Sequence, residues 1–182
     1  GHRLESARLQ FYRKACRWIL GATLFKAWLS RKTRRECVLP LATVPPVGQN
    51  SRLWFHAASV GELESLRTVI LRWLCEGGEA IVTVFSDSAI HGVRSLADEA
   101  ERATKGAGSR ILYAGYSPWE GTWNEALDRL TPALFVTAKY EAWPELWAAL
   151  GERGVPLMIV GAKERSSLRF VKRALGILKT EL

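Results

Sequence analysis

One acidic residue stands where a predicted strand runs into a predicted helix. Residues 54–57 form an apolar strand pattern, Ser59 and Gly61 favour a tight turn, and Glu62 follows at the start of an amphipathic pattern. The apolar face of that pattern comprises Leu63, Leu66, Ile70, Trp73 and Leu74. Open α/β folds bind ligands at the carboxyl edge of their sheets, so Glu62 is a candidate general base at such an edge.

Simpler interpretations exist for the same residues. The helix dipole favours an acid such as Glu62 in a first helical turn, whatever its function. We expect Ser59 and Gly61 to shape the turn and present backbone N–H groups rather than to react. Ser59 has no His and Asp partners in a suitable order, which disfavours a serine hydrolase. His56 falls inside the strand and is expected to be a core histidine.

Short apolar strands alternate with amphipathic helices through most of the chain. The predicted strands are 53–57, 80–85, 110–114, 133–138 and 156–160, and the predicted helices are 62–75, 88–103, 119–130, 144–153 and 167–179. This alternation predicts an α/β, Rossmann-like parallel sheet of five or six strands with helices on both faces. No GxGxxG motif follows the first strand, which disfavours a dinucleotide-binding function.

The positive charge of the chain is concentrated at its N-terminus. The formal net charge is +8, yet residues 1–35 contain ten basic side chains against one acidic side chain. We therefore predict a basic arm over residues 1–35, a Pro-containing linker over 36–52 and a nearly neutral domain over 53–182.

Apolar and basic residues in the arm follow a helical repeat that suits an anionic membrane surface. The predicted membrane-contacting residues are Arg13, Lys14, Arg17, Trp18, Phe25 and Trp28. The alternative is a helix that packs on its own domain or on a partner domain. We predict no nucleic-acid partner, because one basic helix without a recognised module is weak support for one.

Several functional classes find no support in the sequence. Its three cysteines are scattered and form no CxxC pair, which argues against a disulfide framework or a zinc site and fits a reducing cytoplasm. The longest uncharged run in the arm is far shorter than the ~20 residues that a membrane-spanning helix needs. We predict neither a metal nor a cofactor.

Motifs in the loops, taken in order, resemble the Kdo (3-deoxy-D-manno-octulosonic acid) transferases. These are membrane-associated glycosyltransferases of the GT-B architecture, and the likeness is to their N-terminal, acceptor-side half. It is carried by HAASVGE at 56–62, YSP at 116–118, EAWP at 141–144, GVPL at 154–157 and Ala162 with Lys163. Departures from the family pattern are Ala133, Lys139, Gly161 and the Glu164-Arg165 pair.

The resemblance implies metal-independent, inverting transfer of Kdo from CMP-Kdo to a lipid A precursor in lipopolysaccharide biosynthesis, at the cytoplasmic face of the inner membrane. Glu62 would be the general base, and the acceptor would contact Ser59, Gly61, Glu141, Lys163 and Arg165. The donor domain is expected to lie outside this sequence, so the fragment alone would be inactive. The alternatives are a non-catalytic paralogue that binds lipid or sugar phosphate, and another GT-B glycosyltransferase.

Overall fold

The architecture is an alternation of strands and helices that forms one parallel sheet. The computed structural model describes residues 7, 9–19, 22, 51–138 and 143–161. Its elements are β1 (Arg52–Ala57), α1 (Val60–Cys75), β2 (Glu79–Val84), α2 (Asp87–Ala103), a 3₁₀ turn (Gly108–Arg110), β3 (Ile111–Tyr116), α3 (Trp123–Leu130), β4 (Leu134–Ala138), α4 (Pro144–Glu152) and β5 (Leu157–Val160). Residues 9–19 are helical and form what we call the N-terminal segment.

The strand order places β1 at the centre of the sheet. The order is β3-β2-β1-β4-β5, and every neighbouring pair is parallel. Because the chain winds one way from β1 to β3 and the other way from β4 to β5, the order reverses between β1 and β4. This is the topology of one Rossmann half. The predicted α/β, Rossmann-like class is confirmed, and the sheet has five strands in the described residues where five or six were predicted.

Helices cover both faces of the sheet, as predicted. Alternate residues of β1 point to opposite faces: Phe55 packs in one core with α1 and α2, whereas Trp54 packs in the other with α3 and α4. The second core is aromatic, and the Trp54 ring centroid lies 5.6 Å from that of Trp123. Each fully buried side chain of this size contributes roughly 1.5–3 kcal/mol through burial, so the two cores fix the sheet between its helix layers.

The ends of α1 follow from its sequence. Ser59 is the N-cap residue with an extended backbone, and Glu62 lies in the first turn. At the other end the Gly78 N–H donates to the Trp73 carbonyl and the Gly77 N–H to the Leu74 carbonyl, which is a Schellman motif. Gly77 adopts φ +97°, a conformation that favours glycine, so the chain reverses there into β2.

The predicted helix over 119–130 is wrong in its first turn. The helix begins at Trp123, with Thr122 as its N-cap residue. Gly121 has φ +95°, which is incompatible with helical backbone, and Pro118 precedes it. The periodic spacing of Trp119 with Trp123 therefore did not indicate a helix, and Trp119 lies in the connection that follows β3.

Other boundaries differ by small shifts. β3 extends to Tyr116 and begins at Ile111 rather than at 110, since Arg110 closes the 3₁₀ turn and donates to the Leu74 carbonyl at 2.7 Å. The predicted helix over 167–179 and most of the predicted linker lie outside the described residues. The predicted domain boundaries thus stay a prediction.

Candidate functional site

The strand order reverses between β1 and β4, and we call the carboxyl edge of the sheet at this point the crevice edge. Crossovers from these two neighbouring strands leave in opposite directions, and ligands of open α/β sheets bind at such a point. The connection after β1 is Ala58-Ser59, and it leads directly into α1. The connection after β4 contains residues 139–142, which lie outside the described residues, followed by Trp143.

Glu62 lies at this edge and is partly exposed. One carboxylate oxygen, Oε2, accepts a hydrogen bond of 2.7 Å from the Ala58 backbone N–H. Among the described residues no cation lies within ion-pair distance of Glu62, and its Oε1 accepts no hydrogen bond. The backbone bond fixes the direction of the carboxylate and leaves one oxygen able to take a proton from a ligand.

Ser59 and Gly61 differ in part from the sequence-based expectation. The Ser59 carbonyl accepts the Leu63 N–H at 3.0 Å, but its hydroxyl makes no capping bond. Gly61 is the second residue of α1, so the expected Ser-x-Gly turn is wrong: the turn is complete before Gly61. No heavy atom lies within 4 Å of a Cβ built on Gly61, so the surface above it is open.

Three aromatic side chains from different connections meet at the same edge. Phe85 follows β2, Trp119 follows β3 and Trp143 follows β4; the Phe85 ring centroid lies 6.1 Å from that of Trp119 and 5.1 Å from that of Trp143. Phe85 remains 42% exposed, although large apolar side chains are usually buried. We call these three residues the aromatic cluster.

Backbone hydrogen bonds connect the aromatic cluster to the Glu62 region. The Phe85 N–H donates to the Ala57 carbonyl at 3.1 Å, and the Ser86 N–H donates to the Ala58 carbonyl at 3.0 Å. Ala58 is the residue whose N–H binds Glu62. Sequence reasoning missed the cluster as a unit, because its members lie on separate connections; the available signal was an aromatic residue within five positions after each of three strands.

His56 is a core histidine, as predicted. It is 1% exposed, and its Nδ1 lies 3.0 Å from the Thr83 hydroxyl. Burial lowers the pKa of His56 to about 4, so the ring is neutral near pH 7. Its edge-on contact with Trp123, at 5.6 Å between centroids, places it in the core beneath α3 rather than in the crevice.

The remaining predicted acceptor contacts, Glu141, Lys163 and Arg165, lie outside the described residues. The described residues also contain no group of three His, Cys, Asp or Glu side chains arranged to hold a metal ion.

The N-terminal segment packs on the domain through the side that carries Arg13 and Arg17, two of the residues predicted to contact the membrane. Arg13 is 20% exposed and lies 3.0 Å from Glu152, and Arg17 donates to the Gly121 carbonyl at 3.1 Å. These two arginines contact the domain, although the Arg17 side chain is 54% exposed, and their predicted membrane contact stays a prediction. The opposite side of the segment carries Phe11, Lys14, Trp18 and Ile19, with Phe11 75% and Trp18 82% exposed.

The other predicted membrane residues, Phe25 and Trp28, lie outside the described residues. None of the helices in the described ranges combines the length and the apolar character that crossing a bilayer requires.

Comparison with known proteins adds independent information to this geometry. A sequence model described as 3-deoxy-D-manno-octulosonic-acid transferase (kdotransferase) matches residues 23–180. A 3-deoxy-D-manno-octulosonic acid transferase of Bordetella pertussis is 28% identical over 162 residues, an alignment that covers 81% of this chain and 36% of the relative. The chain thus spans about a third of the length of the curated relative that it matches. Because the family match extends over most of the sequence, the chain belongs to the 3-deoxy-D-manno-octulosonic-acid transferase (kdotransferase) family.

Proposed function

We propose that the protein of which this domain is part transfers Kdo from CMP-Kdo to a lipid A precursor, and that Glu62 is the general base. The observation that carries the proposal is the position of Glu62: a partly exposed carboxylate, oriented by one backbone hydrogen bond, at the edge where the strand order reverses. Family membership supports the reaction class, and the geometry supports the residue.

The proposed step needs one carboxylate on this domain. An acceptor hydroxyl loses its proton to the free oxygen of Glu62 while its own oxygen forms the bond to the anomeric carbon of Kdo. The bond from that carbon to the phosphate oxygen breaks, and CMP leaves with the electron pair. The attack inverts the anomeric configuration and needs no metal on the acceptor side. A positioned base of this kind contributes about 10²–10⁴-fold to the rate.

The acceptor would lie along the edge that the aromatic cluster and α1 share. The open surface above Gly61 lets an acceptor approach the first turn of α1 closely, where Ser59 and the exposed end of the helix offer polar groups. Aromatic rings present flat apolar faces on which a sugar ring can pack. Glu141, Lys163 and Arg165 are proposed as further acceptor contacts, the two cations toward acceptor phosphate.

Glu62 can be tested in the full-length protein, which we propose contains the donor domain. Glu62→Gln keeps the size of the side chain and removes its basicity, so kcat should fall about 10²–10⁴-fold while acceptor binding stays within about twofold. Glu76→Gln is the matched control, because Glu76 is an exposed acid just past the other end of α1 that pairs with Arg72. Turnover in Glu62→Gln equal to that of the control would exclude the general-base role.

A non-catalytic module that binds lipid or sugar phosphate is the second candidate. The hydrogen bond from Ala58 to Glu62 favours it, since this bond also satisfies a backbone group at the entrance to α1 without any chemistry. Acceptor binding by the full-length protein without transfer from CMP-Kdo would support this candidate. Transfer from a UDP-sugar instead would indicate a different GT-B glycosyltransferase.

For location, we propose peripheral binding at the cytoplasmic face of the inner membrane through the exposed side of the N-terminal segment. Lys14, Trp18 and Phe11 combine a cation with two exposed aromatic rings, and each cation near anionic lipid contributes about 1 kcal/mol. Phe25 and Trp28 are proposed to extend this surface. The fraction of protein that sediments with phosphatidylglycerol vesicles should be smaller for Trp18→Ala than for the unmodified protein. Equal fractions for the two proteins would contradict the proposal.

A further inference from the structure

Two acidic side chains are buried where the N-terminal segment meets the domain. Glu120 follows β3 and is 8% exposed, and Glu145 lies in the first turn of α4 and is 0% exposed. We call them the carboxylate pair. Burying a carboxylate costs free energy of desolvation unless hydrogen bonds and opposite charges surround it. The partners of the carboxylate pair are therefore the contacts that offset this cost.

The carboxylate pair joins two connections at the carboxyl edge of the sheet. Glu120 Oε1 accepts the backbone N–H of Glu145 at 2.8 Å, and Glu145 Oε2 accepts the backbone N–H of Gly121 at 3.2 Å. Each acid thus binds the backbone beside the other. Glu120 also caps α4, whose N-cap residue Trp143 makes no capping bond of its own.

The N-terminal segment supplies the remaining partners. The Tyr12 hydroxyl donates to Glu120 Oε1 at 3.2 Å, and Arg13 Nε lies 3.5 Å from Glu145 Oε1. The backbone at Gly121 allows this close approach: a Cβ added there would lie 3.0 Å from the Cβ of Cys16. Within the domain, Trp123 Nε1 donates to Glu120 Oε2 at 3.1 Å, which completes the surroundings of Glu120.

The carboxylate pair is adjacent in sequence to the aromatic cluster. Trp119 directly precedes Glu120, and Trp143 precedes Glu145 by two residues with Pro144 between them. The two tryptophans contact Phe85 at the crevice edge. Loss of the bonds at Glu120 and Glu145 would therefore free the two backbone segments that hold the tryptophans against Phe85.

We propose that Tyr12 and Arg13 of the N-terminal segment are positioning residues for the crevice: through the carboxylate pair they hold Trp119 and Trp143 in the aromatic cluster. The aromatic cluster is the surface on which a sugar acceptor packs. This acceptor-binding part of the proposal rests on the proposed function. The segment is thus part of the acceptor-binding apparatus in addition to any role at a membrane. The family match begins at residue 23, after both positioning residues, so it does not address their role.

The first test measures backbone amide exchange and needs no ligand. In the 182-residue chain, Arg13→Ala and Tyr12→Phe should speed exchange at the Gly121 and Glu145 amides about tenfold, because charge-assisted hydrogen bonds there lose their support. Lys14→Ala is the matched control: it removes a cation from the neighbouring position on the exposed side of the segment and should leave both amides protected. Unchanged exchange in both variants would overturn the proposal.

The second test separates this proposal from the proposed function. In the full-length enzyme, Arg13→Ala should raise the KM for the acceptor severalfold with kcat nearly unchanged, because Arg13 touches no reacting atom. Arg72→Ala, which removes an exposed ion pair at the end of α1, is the control. If the protein transfers no Kdo, the proposed function fails, while the amide exchange still decides the positioning role. Faster exchange with an unchanged acceptor KM would overturn the link to the crevice.

Discussion

The two acidic sites of this domain differ in what surrounds them. Glu62 is partly exposed and has one backbone hydrogen bond among the described residues, whereas Glu120 is buried and accepts from three donors. Desolvation raises the pKa of Glu120 to about 7. An acid whose oxygens are already bound stabilises the fold, and an acid with a free oxygen at an open edge can act on a ligand. Burial and partners, rather than residue type, separate the two roles.

The largest expected difference between Glu62 and the carboxylate pair is in the free energy of unfolding. Glu145→Ala removes a buried acceptor from Gly121 and a buried partner from Arg13, and should lower the free energy of unfolding by about 3 kcal/mol. Glu62→Ala removes only one bond near a helix N-terminus and should cost about 1 kcal/mol. Urea unfolding of both variants measures the difference, and equal losses would remove the distinction drawn here.

A pair of glycines can isolate the contribution of the N-terminal segment. Gly121 and Gly77 have nearly equal φ angles of +95° and +97°, so replacement by Ala costs each about 1–2 kcal/mol of backbone strain. Only Gly121→Ala also meets the segment, with Cys16 Cβ at 3.0 Å, whereas nothing lies within 4 Å at Gly77. We expect a further loss of about 1 kcal/mol for Gly121→Ala. Equal thermal unfolding of the two variants would show that the segment does not pack closely there.

The smallest expected effect is a pH dependence of segment packing. Burial is the largest cause of the raised pKa values of Glu120 and Glu145, and Tyr12 and Arg13 act in the opposite direction. We expect the effect of burial to dominate, so that both pKa values fall toward their ordinary range when the segment separates. Protonation therefore favours the packed form, so packing strengthens below about pH 7 and weakens as the pH rises through that value. The titratable and charged groups that act on the pair are Tyr12, Arg13, Cys16, Glu152 and Arg153.

Limited proteolysis of the segment at pH 6 and pH 8 checks this dependence, with a peptide substrate to correct for protease activity. Faster cleavage at pH 8 is expected. Cleavage that is faster at pH 6 would contradict the direction of the pKa shifts.

Local patterns in the sequence specified the sheet and the position of Glu62. Strand–turn–helix periodicity over 54–74 fixes Glu62 in a first helical turn directly after a strand, because both features depend on residues that are close along the chain. The alternation of elements likewise determines a parallel sheet, since parallel strands require crossover connections.

Tertiary structure alone decided the rest of the site. Glu120 and Glu145 lie 25 residues apart, and Tyr12 lies 108 residues from Glu120, so no local period relates them. Trp119 has a helical spacing with Trp123 but lies in the aromatic cluster, because the positive φ of Gly121 prevents a helix from continuing between them. The side of the N-terminal segment that packs on the domain carries Arg13, which meets Glu145 and Glu152, contacts that the periodicity of the segment did not specify. Sequence periodicity reports on neighbours within one element, whereas contacts between elements depend on where the whole chain places them.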